Sequence, residues 1–346
     1  MLFRSIPLFE TLSGAFVSKS DGLCAAPDDA FPVKTFRDFI DIRENDAKRL
    51  AGLLDIQVLT GSEVLLEVIF PDVVGQRYST EEIDRLMGFV MDRYHVYAAE
   101  DGRFQNQLKD LPFVSTKNDR VRPKEVFDPR KDFLKRIFVE EDVFPVGKYD
   151  HPSALVILEC LGMKSEGEIT GQNVYESAKA VNNIFDFSAA EMKSSAIMSF
   201  LTSNPAKLEE IVSGTSGLGE LGMHLKGIPW VSVMRRKPDD FPESLPFWGE
   251  THTEPYFLKP SDVRYKQAAN IIGSVKPLVK AEPCGQLTRF FSWDTDPTVL
   301  HVVQHLQNVI SCYSTREKPR YIIIAQEVYV FLSRADRKST RLNSSH

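Results

Sequence analysis

Residues 112–129 read PFVSTKNDRVRPKEVFDP. Phe113-Val114 is a short apolar run, and the polar residues 117–119 that follow it are typical of a turn. Val121 and then Val126-Phe127 can return the chain as a second strand. The stretch therefore predicts a β-hairpin, and nothing in it has the residues of a catalyst.

Helical patterns lie on both sides of this hairpin. Ser79 and Glu82 have the spacing of a capping box, and the apolar residues from Ile83 to Tyr94 recur every three or four positions, which predicts an amphipathic helix. Thr60 is expected to begin a helix that ends before Pro71. Thr170 is expected to cap a helix over residues 172–185, and Ser188 is expected to cap a helix over residues 189–201.

The last third of the chain mixes both structural types. Residues 228–234 and 270–279 are predicted to be extended, and residues 322–332 are predicted to be helical in preference to extended. Asp294 or Asp296 is expected to cap a helix. The apolar face of that helix would carry Val299, Val303, Leu306, Ile310 and Tyr313.

These patterns predict a helix-rich α+β fold with several small antiparallel β-hairpins. Along the chain we expect three segments. Residues 1–75 contain a hairpin and short helices, and residues 76–212 form a helical segment that contains the hairpin 112–129. Residues 213–335 form an α+β segment rich in proline and tryptophan. Residues 336–346, DRKSTRLNSSH, resemble the in-frame translation of a sequencing-library adapter. We therefore exclude them from fold reasoning as not native, and expect the natural chain to continue beyond Ala335 in a different sequence.

Composition excludes several classes of protein. With 42% hydrophobic and 26% charged residues the chain has the composition of a globular protein. A net charge of −6 argues against nucleic-acid binding. No apolar run is long enough for a membrane span or a signal peptide, so we expect a cytoplasmic protein. The four cysteines form no CxxC pair, which argues against a zinc site or a disulfide framework.

Two motifs resemble cofactor or metal sites. Gly217, Gly219 and Gly222 match the GxGxxG pattern of dinucleotide-binding loops, but they follow a helical stretch where that loop requires a strand. His301 and His305 share a helix face, with Cys312 roughly on the same side, yet a metal would require a third ligand with an oriented environment. A helix packed into a core gives the same pattern. We therefore predict no cofactor, no metal and no catalytic residue.

Two tryptophans are candidates for client contact. Trp230 and Trp248 lie in the proline-rich part, and aromatic side chains supply much of the contact area in peptide-binding surfaces. Packing in the core is the alternative for both, and burial statistics favour it.

Several stretches, in this order, resemble the repeated region of the sacsin family of giant co-chaperones. The hairpin sequence from Leu111 is followed by DFLKRIF (132–138) and HPSALVILECLGM (151–163). The remaining blocks are IPLFETLSGAFVS (6–18), IPWVSVMRRKPDDFPESLPFWGE (228–250) and LQNVISCYSTREKPRYIIIAQEVYVFL (306–332). Each block is only moderately specific, but their order makes the match strong.

In that family each large repeat begins with an ATPase module of the gyrase, heat-shock-ninety and histidine-kinase type. This chain lacks the Asp-x-Gly-x-Gly nucleotide loop and a recognisable Glu-x-x-x-Asn box. The resemblance therefore implies a non-catalytic scaffold segment of a co-chaperone acting in protein folding and quality control. It would contact other modules of the same giant chain, heat-shock-seventy chaperones and unfolded clients.

Two alternatives to this scaffold remain. The chain could be part of an ATP-dependent chaperone ATPase, with the loop 214–222 closing over a nucleotide held by a neighbouring module. It could instead be a peptide-binding or client-binding module that uses Trp230 and Trp248.

Overall fold

A computed structural model describes residues 7–18, 24–25, 31–35, 37–42, 44–213, 219–252, 254 and 256–343. The chain forms two compact units. Unit 1 comprises Met1–Lys131 and Glu141–Glu168, and unit 2 comprises Asp132–Glu140 and Ile169–His346.

Helices dominate both units. In chain order they are α1 (Asn45–Leu53), α2 (Gly61–Val64), α3 (Phe70–Val74), α4 (Thr80–Asp92), α5 (Tyr94–Glu100), α6 (Phe104–Leu108), α7 (Asp132–Ile137), α8 (Pro152–Cys160), α9 (Gly171–Val181), α10 (Phe187–Ser203), α11 (Pro205–Ser213), α12 (Gly219–Gly227), α13 (Trp248–Thr251), α14 (Ala269–Ile272), α15 (Gly285–Phe290), α16 (Val299–Cys312) and α17 (Lys318–Asn343). A π-helical turn, Leu65–Ile69, joins α2 to α3.

The strands are two residues long and form two-stranded sheets: β1 (Phe9–Glu10) with β2 (Phe16–Val17), β3 (Cys24–Ala25) with β4 (Gln57–Val58), β5 (Val114–Ser115) with β6 (Arg120–Val121), and β7 (Val231–Ser232) with β8 (Phe257–Leu258). The β3–β4 pair is parallel and the others are antiparallel. The predicted helix-rich α+β class with small antiparallel hairpins is therefore confirmed, with one parallel pair added.

Side-chain caps set the starts of several helices. Ser79 Oγ accepts from the amide of Glu82 at 3.3 Å, and the Glu82 carboxylate accepts from the amide of Ser79 at 2.8 Å, so the predicted capping box of α4 is confirmed. Thr60 and Thr170 form the same arrangement at α2 and α9. The prediction for α10 was wrong by two residues, because Asp186 and not Ser188 accepts the first free amide.

Pro71 was predicted to stop the helix that Thr60 begins, and this was wrong. The proline lies in the first turn of α3, immediately after the π-helical turn. A proline lacks the amide that would donate to the previous turn, and a wider turn before it lets the helical path continue without that bond.

Two extended predictions were wrong, and a third, the strand at 228–234, was confirmed in part. Val126 and Phe127 do not pair with β5, because a 3₁₀ turn at Pro123–Glu125 redirects the chain before them. Residues 270–279 contain most of α14, and only two residues of 228–234 lie in a strand. The helical prediction for 322–332 is confirmed, since these residues lie within α17.

The compact units cut across the three segments expected from the sequence. Unit 1 has a large apolar core built from the helices α2 to α6 and α8 with the β5–β6 hairpin, and a smaller core around Phe9 and Ile40. In unit 2 a core lies among α14, α16 and α17. No helix in the described residues is both long and apolar enough to cross a membrane.

Candidate functional site

The first strand of the β5–β6 hairpin packs into the core of unit 1. Phe113 and Val114 are completely buried there, whereas the turn at 117–119 is exposed. The amide of Val146 donates to the carbonyl of Ser115 at 2.9 Å. Residues 126–128 bond to Val143 and Lys164, which lie on either side of α8, and the amide of Lys164 donates to the Val126 carbonyl at 2.9 Å. The stretch 112–129 therefore connects several segments of the unit that contains it.

A carboxylate holds the turn of this hairpin. Asp142 accepts from the amides of Lys117 at 2.6 Å and Asn118 at 2.9 Å. Burial would raise the pKa of the Asp142 carboxyl, but the bonds from Thr116 and from these two amides outweigh it and lower that pKa. The arrangement satisfies turn amides that would otherwise face outward without partners.

An ion-pair cluster joins the hairpin to helix α4. The Arg120 guanidinium lies 2.7 Å from one Asp84 oxygen and donates to the Thr80 carbonyl at 2.9 Å. Lys148 lies 3.6 Å from the other Asp84 oxygen. Burial raises the pKa of the neighbouring Tyr149 hydroxyl, with the Asp84 charge adding to it. The ion pairs of Asp84 thus join the hairpin and the Lys148 segment to α4, while the Tyr149 hydroxyl, one Asp84 oxygen and one Arg120 nitrogen are buried without a hydrogen-bond partner.

Unit 2 places the two candidate tryptophans in different environments. Trp230 is completely buried, its indole nitrogen donates to the Leu225 carbonyl at 3.1 Å, and its ring packs edge-on against Phe291. Trp248 begins α13 and is half-buried. A client would reach the Trp230 ring only if this packing opened, whereas part of the Trp248 ring is accessible as it stands.

Trp248 belongs to a continuous row of side chains, which we call the aromatic surface: Phe187, Tyr256, Arg235, Trp248 and His252. The Phe187 and Tyr256 ring centroids are 4.6 Å apart, and Trp248 stacks on His252 at 4.6 Å with nearly parallel planes. The Arg235 guanidinium connects the two pairs, since its carbon lies 5.5 Å from the Tyr256 ring and 5.9 Å from the Trp248 ring. Such cation–π contacts help to fix the rings in place.

A cavity of about 470 Å³ opens beside this surface. Phe187, Tyr256 and Phe257 line one part of it, and the fully exposed Phe185 stands at its edge. The lining is mainly aromatic and aliphatic, with a few polar groups, which is typical of sites that bind apolar side chains. No motif in the sequence marks Phe185, Phe187 or Tyr256, and the first two lie about 60 residues before Trp248 along the chain.

A close approach of backbones positions Trp248. A Cβ atom added at the next residue, Gly249, would lie only 1.9 Å from the carbonyl oxygen of Met234. Only glycine allows this contact between α13 and the segment that carries Arg235. The aromatic surface is therefore held on a tightly packed base.

His305, one of the candidate metal ligands, is committed to the core. Its Nδ1 accepts from the Ser274 hydroxyl at 2.7 Å and the Ser274 amide at 3.3 Å, and its Nε2 donates to the Asn270 carbonyl at 3.1 Å. Both ring nitrogens thus have partners within the protein. No set of three His, Cys, Asp or Glu side chains that could hold a metal ion occurs in the part of the chain that the structure describes.

Residues 214–218, which include Gly217 of the glycine motif, lie outside the described residues. Gly219 begins α12. At Gly222 an added Cβ would lie 3.2 Å from both the Ile211 carbonyl oxygen and the Phe290 ring, so this glycine allows close packing of α12. The part of the motif that is described thus has a packing role.

Comparison with known proteins agrees with the resemblance found in the sequence. No family model matches the chain, and no solved structure matches it. The chain is 26% identical to human sacsin over 285 residues, an alignment that covers 80% of this chain and 6% of the length of sacsin. Most of the chain therefore resembles a region of sacsin, in agreement with the resemblance of the ordered sequence blocks, and the chain spans only a small part of that protein's length.

Proposed function

We propose that this chain is a non-catalytic scaffold segment of a sacsin-like co-chaperone that acts in cytoplasmic protein folding and quality control. The similarity to sacsin over most of the chain is the observation that carries this proposal. The ion pairs around Asp84 support it, because they join elements of unit 1 to one another as a structural segment requires. In this role the chain connects other modules of a much longer protein and binds heat-shock-seventy chaperones.

Calorimetry with ATP and magnesium tests the scaffold proposal against the ATPase alternative. A scaffold segment is expected to give no saturable heat when titrated with ATP. Stoichiometric binding of ATP to the folded chain would contradict the proposal. Replacement of Gly217 and Gly219 by alanine in the complete protein then tests whether the loop 214–222 contributes, since unchanged ATPase activity would exclude it.

The aromatic surface favours a second function, the binding of unfolded clients. It offers three partly exposed rings, Phe187, Trp248 and Tyr256, next to a cavity lined by both apolar and polar groups. Aromatic side chains give a large contact area at a low cost in conformational entropy. An extended client segment with apolar side chains could place one of them in the cavity and lie across the rings.

Tryptophan fluorescence can test client binding, because the environments of the three tryptophans differ. Trp230 and Trp293 are buried, so a spectral shift on adding a reduced, unfolded client protein is expected to come from Trp248. A Trp248→Ala variant should lose the shift and bind the client at least about tenfold more weakly, the loss expected for a central aromatic contact. Tyr329→Ala, which removes an exposed ring elsewhere in unit 2, is the matched control. Equal binding by both variants would exclude the aromatic surface.

A further inference from the structure

The cavity beside the aromatic surface has a single charged residue in its lining. Among the described residues that line it, Glu254 alone carries a charge, and none of them is Lys or Arg. The Glu254 side chain is exposed, and it has no hydrogen-bond or ion-pair partner in the part of the chain that the structure describes. Its carboxylate can therefore pair with a positive charge that a ligand brings.

Aromatic side chains supply much of the same lining, namely Phe185, Phe187, Tyr256 and Phe257. The planes of the Phe187 and Tyr256 rings meet at 47°, and those of Phe187 and Phe257 at 36° with the centroids 6.0 Å apart. The face of an aromatic ring is partly negative, so it attracts a cation placed over it. Several rings together with a carboxylate make the lining suited to an organic cation.

The nearest positive charge of the aromatic surface is engaged outside this cavity. The Arg235 guanidinium lies between the Tyr256 and Trp248 rings and donates to the His252 carbonyl. Arg235 is not part of the cavity lining. It also forms no ion pair with Glu254, whose charge is therefore not neutralised by it.

The rest of the lining favours a cation with a long apolar stem. Val181, Ile184 and Ala190 contribute aliphatic surface, and the cavity of about 470 Å³ has room for a whole side chain. The side chain of Lys has four methylene groups that bury against apolar surface, and an ammonium group at the end that needs a polar or charged partner. Both parts of a lysine side chain thus find a matching group here.

We propose that this cavity binds a lysine side chain of a client segment, with the stem against the rings and the ammonium group paired with Glu254. This inference rests on the proposed binding of clients at the aromatic surface, and it names the side chain that enters the cavity. A segment that carries Lys among apolar residues would occupy the cavity and the neighbouring rings together.

Fluorescence anisotropy of three labelled peptides with the full chain tests this proposal. The peptides share one extended, mainly apolar sequence and differ at a central position, which is Lys, Met or Glu. The Lys peptide is expected to bind about fivefold more tightly than the Met peptide, the effect of a partly exposed cation–π contact together with an exposed ion pair. The Glu peptide should bind most weakly. Tighter binding of the Glu peptide would assign the recognition of charge to Arg235 and would overturn the proposal.

A Glu254→Gln variant tests the carboxylate, because it keeps the shape of the side chain and removes its charge. The preference for Lys over Met should fall to about twofold, since only the rings then attract the cation. Glu209→Gln on α11 is the matched control, because Glu209 is an exposed acid of unit 2 that does not line this cavity. It should keep the fivefold preference. A fivefold preference that persists in Glu254→Gln overturns the proposal.

Failure of the lysine site can be distinguished from failure of client binding. Trp248 does not line the cavity, so Trp248→Ala should weaken the binding of all three peptides and keep the preference for Lys. If none of the peptides binds, client binding at the aromatic surface is excluded and the lysine site with it. If all three bind equally well, client binding stands and the lysine site alone is excluded.

Discussion

Protonation of His305 should destabilise unit 2 in mild acid. The imidazole is buried, and this burial lowers its pKa from the ordinary value of 6.5 to about 4, although the bond to the Asn270 carbonyl opposes the change. Above pH 6.5 the ring is neutral in the folded and the unfolded chain, so the folded state has its full stability. As the pH falls from 6.5 towards 4, the unfolded chain takes up a proton that the folded chain does not, and stability is lost.

The size of this loss follows from the two pKa values. A tenfold change in proton affinity is worth about 1.4 kcal/mol, so the step from 6.5 to about 4 corresponds to about 3 kcal/mol when titration is complete. Between about pH 7.5 and about pH 4.5 the expected loss is about 2–3 kcal/mol. That is a large fraction of the free energy of unfolding of a typical domain.

Urea unfolding followed by tryptophan fluorescence measures this effect. All three tryptophans, at positions 230, 248 and 293, lie in unit 2, so the signal reports the unit that contains His305. In a His305→Gln variant the drop in the free energy of unfolding between the two pH values should be about 2–3 kcal/mol smaller than in the wild type. The exposed His224→Gln variant is the control and should behave as the wild type does.

Equal drops in the wild type and the His305→Gln variant would refute this reasoning. That result would mean that the His305 ring is accessible to protons in the folded chain, and hence that the bonds to Ser274 and Asn270 do not hold it in a dry environment. Other acid-sensitive groups contribute equally to both proteins and cancel in the comparison.

Three further predictions concern packing and caps. Gly249→Ala should prevent folding of unit 2 or destabilise it by more than about 4 kcal/mol, because the new Cβ would overlap the Met234 carbonyl. Gly285→Ala is the control, because the space around Gly285 is open and its new Cβ should cause no such loss of stability. Thermal unfolding of the two variants measures the difference. Ser79→Ala should cost about 1 kcal/mol by removing the cap of α4, as measured by chemical denaturation followed by circular dichroism. By the same measurement, Arg120→Met should cost about 1–3 kcal/mol, because it leaves the Thr80 carbonyl and Asp84 short of a donor.

Local signals in the sequence predicted local structure well. The hairpin turn in residues 112–129 and the capping box at Ser79 depend on residues a few positions apart, and both are present as predicted. Val126 and Phe127 were misassigned because their bonding partners, Val143 and Lys164, lie far along the chain. A short apolar segment does not reveal whether it will pair within its own hairpin or with a distant loop.

The candidate site was only partly accessible to sequence reasoning. Composition singled out Trp230 and Trp248 equally, yet folding buries one and leaves the other partly exposed, a difference that depends on distant packing partners such as Phe291. The rings that extend the surface beside Trp248 come from α10 and from the segment before β8. Client contact at both tryptophans stays a prediction, with the structure favouring access to Trp248.

Helix α16 buries one polar side chain and leaves apolar side chains on its surface. His305 is buried between Val302 and Val309, while Val303 and Ile310 remain exposed. The buried ring is tolerated because both nitrogens are bonded and neutral, so the core gains a fixed orientation for the helix. The exposed side chains then retain hydrophobic free energy that folding does not use, about 25 cal/mol for each Å² of apolar surface still in contact with water.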